Sequence, residues 1–273
     1  VIYQVDLENG IVRPLDAAQQ AGLTCPLVNP RLATIAWLQP SPEGMAVVVS
    51  DLEGVDNVAL ASYSDASELL WSPDGQILIY TALAQNIKAR LGMAHAEQQI
   101  TFWTGDLGLL VDYVWLPDSS ALIVAYYSAQ ALEVGRLERS CLLLPTACQP
   151  TPLARFDLNA SVLLMPAFDV AQESIVIALE ASNERGELES DLYRVDLSGT
   201  EPAQRLTESP SLTKTGVYWG ADGWIYYLGS RLDPLTFNLS ESAIYRIPAA
   251  GGPSEVAYRA EGYQPLQIIW ASD

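Results

Sequence analysis

One element recurs six times along this chain of 273 residues, and it constrains the fold more than any other feature. It is an apolar strand ending in an aromatic residue, a tight polar turn, and a second apolar strand. Residues 68–80 read ELLWSPDGQILIY, residues 112–126 read DYVWLPDSSALIVAY, and residues 216–227 read GVYWGADGWIYY. Looser copies are SVLLMPAFD at 161–169, TIAWLQPSPEG at 34–44 and QIIWASD at 267–273. With Ser41, Ser72, Leu116, Pro166, Gly220 and Ala271 as equivalent points, the spacings are 31, 44, 50, 54 and 51 residues. Repeats of about 40–50 residues with several strands each are propeller blades.

The turn chemistry agrees. In Pro-Asp-Gly and Ala-Asp-Gly, the Asp side chain accepts from its own backbone and Gly tolerates positive φ. The repetition of Asp74, Asp118 and Asp222 with the blade therefore marks them as turn residues rather than paired catalytic acids. The recurring Trp37, Trp71, Trp115 and Trp219 are expected to pack between blades. Third strands follow at 191–197 (DLYRVDL) and 242–248 (SAIYRIP), with short fourth strands at 203–207 and 254–258. The one segment with helical potential is 87–97.

The Trp71-Ser-Pro-Asp-Gly75 turn and the strand at 192–197 resemble the repeats of the TolB-like, WD-repeat-like β-propeller family. That resemblance spans almost the whole chain. It implies an all-β, six-bladed propeller in one domain over 1–273. Members of that family include envelope scaffolds and domains attached to peptidases, so it carries little about chemistry.

The ends suggest how the ring closes. Residues 1–7 read as a third strand, 11–14 as a fourth and 266–270 as a first, so the sixth blade is shared by the two termini. That blade lacks a second strand, which leads to the expectation that the sequence is a fragment of a longer chain, or that a partner chain supplies the strand.

Charge narrows the partners. There are 33 acids against 14 bases, a net charge of −19, with Lys only at 88 and 214. Such a field disfavours nucleic acid and anionic lipid and suits cationic partners or metal ions. No apolar stretch approaches the ~20 residues of a membrane helix. Of three cysteines, Cys141 and Cys148 sit close enough to pair across an apparent hairpin, leaving Cys25. A disulfide there points to an extracytoplasmic compartment.

Catalytic signatures are sparse. No Gly-x-Ser-x-Gly occurs, and the single histidine, His95, is read as a solvated loop residue. Zinc would need Cys25, His95, Cys141 and Cys148 to converge without a Cys-x₂₋₄-Cys pair. The run Glu180, Glu184, Glu187, Glu189 and Asp191 has the oxygen chemistry for Ca²⁺ but no EF-hand spacing, and a charged solvated loop is the favoured reading.

Elaboration falls on one face. Second-to-third connections read as long loops at 84–98, 129–139, 181–190 and 229–241, whereas first-to-second turns are short. Long loops in compact domains usually bind something. Glu97, Glu133, Glu184, Glu187, Glu189 and Asp233 are the acids expected to serve that surface. The function expected is a non-enzymatic binding or scaffolding propeller with protein partners and no cofactor. The alternatives are a hydrolase or lyase with a carboxylate or divalent-ion site in the central channel, and the propeller domain of a longer peptidase-like enzyme.

Overall fold

The computed structural model describes residues 3–5, 12–14, 24–42, 44–51, 58–63, 66–84, 88–95, 100–106, 109–142, 149–157, 160–168, 173–182, 188–208, 212–232 and 239–259. It is almost entirely strand. The chain forms two compact units. One comprises Val1–Leu109, Trp115–Ala121 and Leu137–Gln149; the other comprises Leu110–Val114, Leu122–Arg136 and Pro150–Asp273.

A short antiparallel ladder of β1 (Tyr3–Val5) and β2 (Val12–Pro14) comes first, matching the two strands expected there. Among the described residues five four-stranded sheets follow, each a meander of chain-adjacent strands. The first holds β3 (Thr24–Val28), β4 (Thr34–Ser41), β5 (Gly44–Asp51) and β6 (Val58–Tyr63). The second holds β7 (Ala66–Trp71), β8 (Ile77–Ala84), β9 (Lys88–His95) and β10 (Ile100–Asp106). The third holds β11 (Leu109–Trp115), β12 (Ala121–Tyr127), β13 (Leu132–Glu138) and β14 (Thr151–Phe156), with the single-turn helix α1 (Arg139–Leu142) between the last two. The fourth holds β15 (Ala160–Phe168), β16 (Ser174–Ser182), β17 (Leu188–Asp196) and β18 (Gln204–Arg205). The fifth holds β19 (Thr213–Trp219), β20 (Trp224–Leu232), β21 (Leu239–Pro248) and β22 (Glu255–Tyr258).

Several expectations are corrected. The strand at Thr34 is the second of its sheet, not the first. The first turn of that sheet lies at Asn29, whose N–H donates to Thr34 O at 2.9 Å, as Ser72 N–H does to Ile77 O at 2.8 Å and Leu116 N–H to Ala121 O at 2.9 Å. Asn29, Ser72 and Leu116 are then evenly spaced, 43 and 44 residues apart, which removes the anomalous interval of 31. At Met165–Pro166 the chain makes a bulge within β15 rather than the blade turn.

The supposed loops are also largely strand. Residues 88–95 and 132–138 are third strands, and 87–97 is not helical where it is described. In β13 the pattern Leu-Glu-Val alternates between buried Leu132 and Val134 and half-buried Glu133, so period-two patterning outweighed the polar content. The hairpins β16–β17 and β20–β21 stay paired out to Ser182–Leu188 and Leu232–Leu239.

Cores form where sheets stack. Trp71 packs with Ala36, Val47, Leu78 and Tyr80, and its Nε1 donates to Leu27 O on β3 at 3.3 Å. Trp37 and Trp115 are buried likewise, and Trp219 packs on the core between the fourth and fifth sheets. Turn aspartates do what their position implies. Asp74, Asp118 and Asp222 each accept from the N–H two residues on, at 3.1, 2.9 and 3.1 Å.

Candidate functional site

A cleft of about 650 Å³ lies in the second unit, between the outer edge of β14 and the turn joining β17 to β18. One wall is β14 itself, residues 152–156, and the other is residues 199–203 with Tyr193. It exists because the two fourth strands differ in length. β14 has six residues and β18 only two, so the 197–203 connection stands beside β14 without pairing with it.

Local chemistry builds each wall. Asp196 organises the turn: its Oδ2 accepts from the Ser198 hydroxyl, from Thr200 N–H at 3.0 Å and from Thr200 Oγ1 at 3.1 Å. These donors, Ser198 first, outweigh burial and hold the carboxyl at about 2. Gly199 adopts φ of +70°, and a Cβ there would sit 3.0 Å from Pro152 O, so glycine lets the turn approach β14. On the opposite side, Gly135 makes room for Pro150 just before β14, where an added Cβ would come within 2.6 Å of the proline ring.

The lining includes an aromatic pair and two acids. Phe156 and Tyr193 meet edge to face, with ring centroids 5.3 Å apart. Burial pushes the Tyr193 phenol up. Glu133 reaches the cleft from β13 and accepts from Tyr126 Oη–H at 2.9 Å; Glu201 stands on the turn. Burial first, then the hydrogen bond to Glu133 and its charge, push Tyr126 up to about 12, so the phenol stays a neutral donor. Arg155 donates to Gln130 Oε1 at 3.2 Å. The described lining carries two carboxylates, a phenol, a guanidinium and the Thr200 hydroxyl.

A buried polar cluster lies nearby on the same strands. Lys214, fully buried on β19, donates from Nζ to Ser190 O and lies 3.5 Å from Asp191 Oδ1. Asp191 also takes the guanidinium of Arg205 and the Thr207 hydroxyl at 2.8 Å. Its carboxylate is thus committed to two cations and a hydroxyl, and its burial within β17 corrects the reading of Asp191 as part of a solvated loop. Among the described residues no three His, Cys, Asp or Glu side chains converge as a metal site would require.

Of the acids singled out from sequence, Glu133 and Glu189 are described, and Glu133 lines the cleft. Glu189 lies within β17 opposite Ala181, in strand rather than loop. Glu97, Glu184, Glu187 and Asp233 lie outside the described residues, as does Cys148. Cys141, on α1, is disulfide-bonded. His95 ends β9, opposite Ile77 and Ile100, so it belongs to a strand and not to a loop. Sequence reading missed Tyr193 and Lys214, although both stand in strands whose alternation was visible. No helix among the described residues is long and apolar enough to cross a membrane.

These meanders define a TolB-like β-propeller fold. The β-propeller domain of the Trilobed protease from Pyrococcus furiosus, which has an open velcro topology, superposes with a TM-score of 0.57 at 12% identity, over 86% of this chain and 71% of that one. TolB from Acinetobacter baumannii gives 0.51 at 12% identity, over 88% and 55%. A prolyl endopeptidase gives 0.62 at 11% identity, over 88% of this chain but only 36% of its own. The chain therefore spans just over half the length of TolB and about a third of the peptidase. No family model matches the sequence, and no curated protein sequence matches it.

Proposed function

We propose that this chain is a non-enzymatic binding propeller whose partner is a protein. The observation that carries this is the cleft beside β14, whose described lining joins an aromatic pair, Phe156 and Tyr193, to two carboxylates, Glu133 and Glu201. The net charge of −19 favours a partner presenting cationic groups and speeds their encounter. TolB, a similar fold, supports the binding role by analogy. The same reading counts six blades, with the β1–β2 ladder belonging to the sixth.

An oxidising, extracytoplasmic setting is supported by the disulfide at Cys141, since such bonds rarely persist in a reducing cytosol. Cys148 is its proposed partner, with Cys25 as the remaining thiol.

A second reading has a specific observation behind it. Several similar folds belong to peptidases, and this chain covers 36% of one and 39% of another, the acylaminoacyl peptidase of Pyrococcus horikoshii. On that reading the propeller would accompany a catalytic domain, and its partner surface would face that domain.

Chemical crosslinking in the native host, followed by purification, separates these. A defined partner that is lost from Glu133→Gln/Glu201→Gln protein of unchanged melting temperature supports the binding role. Recovery of the propeller only as part of a polypeptide with hydrolase activity overturns it in favour of the second.

A further inference from the structure

Resting on the binding role of the cleft, we infer that its ligand is an extended peptide segment with a basic side chain, which adds as a fifth strand to the outer edge of β14. The five consecutive residues 152–156 all line the cleft, so one wall is a strand edge seen along its length. β14 pairs with β13 alone among the described residues, so its other edge offers main-chain donors and acceptors. An exposed strand edge is a template for another strand, and main-chain pairing supplies affinity while alternate side chains supply specificity.

The geometry of the cleft fits that occupant better than a compact molecule. Five extended residues cover about 17 Å at ~3.4 Å each, a long shallow path rather than an enclosed chamber. Pro152 has no N–H and lies against the Gly199 turn, so it closes one end of the path. Phe156 and Tyr193 stand at the other end and offer an apolar slot for one side chain.

Charge selects the second determinant. Glu133 and Glu201 both line the cleft, and Arg155, the register partner of Glu133 across β13 and β14, donates to Gln130. A Lys or Arg within reach of the two carboxylates gains from both, in a protein whose overall field is strongly negative. An acidic segment would meet repulsion from both.

The test uses the whole chain of 273 residues, ¹⁵N-labelled. The probe is a synthetic pool of acetylated, amidated heptapeptides, randomised over Thr, Val, Ile, Ser and Tyr with Lys fixed at the centre. A matched pool carries Glu instead, and a third is the Lys pool N-methylated at alternate positions. The Lys pool is expected to shift amide resonances of residues 152–156 and 199–203 and to bind at least about tenfold more tightly than either other pool. Glu133→Gln/Glu201→Gln protein, in which the amide at position 133 keeps an acceptor for Tyr126, should lose that preference while keeping its melting temperature. No binding, equal binding of the Glu pool, retained binding after N-methylation, or shifts confined to other strands would each overturn the inference. Failure here, with the crosslinked partner still lost from the double variant, would leave the binding role standing and remove only the strand-addition mode.

Discussion

At the scale of single residues, the cleft is set by a few groups whose chemistry gives measurable signs. The Tyr126 phenol is raised to about 12 from an ordinary 10, so its contribution to stability is complete below pH 10 and disappears as pH rises through 12. Chemical denaturation between pH 9 and 12 should show that fall, and Tyr126→Phe should flatten it; an unchanged slope in the variant would detach Tyr126 from the effect. Asp196 has the opposite sign. Its carboxyl sits at about 2 against an ordinary 3.8, so its contribution is present above about pH 4 and is lost as pH falls through 2. The group is largely exposed, which limits that contribution to less than about 1 kcal/mol. Gly199→Ala combines positive φ with a Cβ 3.0 Å from Pro152 O, and should cost about 1 kcal/mol while displacing the turn from β14. A melting temperature and peptide affinity equal to those of the parent would contradict this.

At the scale of elements, what joins consecutive sheets is polar as well as apolar. In the first unit, three successive blade turns are hydrogen-bonded to one another. Asn29 Nδ2 donates to Gly75 O at 2.8 Å, and Ser119 Oγ accepts from Asp74 N–H at 3.0 Å. Arg139, from α1, bonds Asp74 and reaches Gln76 at 2.6 Å. In the second unit, Lys214 performs the equivalent task between β19 and β17. Removing Lys214 leaves the buried Asp191 with Arg205 as its cation and opens a cavity, so Lys214→Ala should destabilise by about 3 kcal/mol. Lys214→Met, which keeps the volume, should cost less. Urea midpoints for the pair decide this, and equal losses would mean that charge rather than packing is what Lys214 supplies. The disulfide belongs at this scale too. Peptide mapping under non-reducing conditions should join Cys141 to Cys148 and leave Cys25 alkylatable; a Cys25–Cys141 peptide would refute the pairing.

At the scale of the whole molecule, charge and repetition dominate. A net charge of −19 makes the folded chain repel itself, and salt screens that repulsion. Melting temperature should therefore rise between 20 and 500 mM NaCl (about 3 Å Debye length being reached near 1 M), while association with a cationic partner slows. A melting temperature that falls with salt would show that the internal ion pairs outweigh the net repulsion. The blade count is open to direct inspection: image averages of the particle viewed along its axis should show six blades, and five or seven would overturn that count.

Much of this fold was legible in the chain. The turn at Ser72–Gly75, the strands flanking it and the burial of Trp71 follow from local chemistry, because proline, aspartate and glycine act within four residues and alternation acts along one strand. The misplaced first blade shows the limit of that reading. Trp37 resembled the other repeat tryptophans, but only pairing with Thr24–Val28 reveals that it stands on a second strand. Reading residues 88–95 and 132–138 as loops failed for a similar reason: a polar strand is recognisable once a neighbour satisfies its backbone, and that neighbour lies elsewhere in the chain. Glu133 was chosen for its charge, yet its place in a cleft depends on β18 being shorter than β14 and on Gly199 touching Pro152. The repeat, the turns and the charge were thus determined by sequence, where interactions are local or additive. The cleft, the buried Lys214 and the joining of blade turns were decided only by tertiary structure, because each depends on groups tens of residues apart meeting within hydrogen-bonding distance.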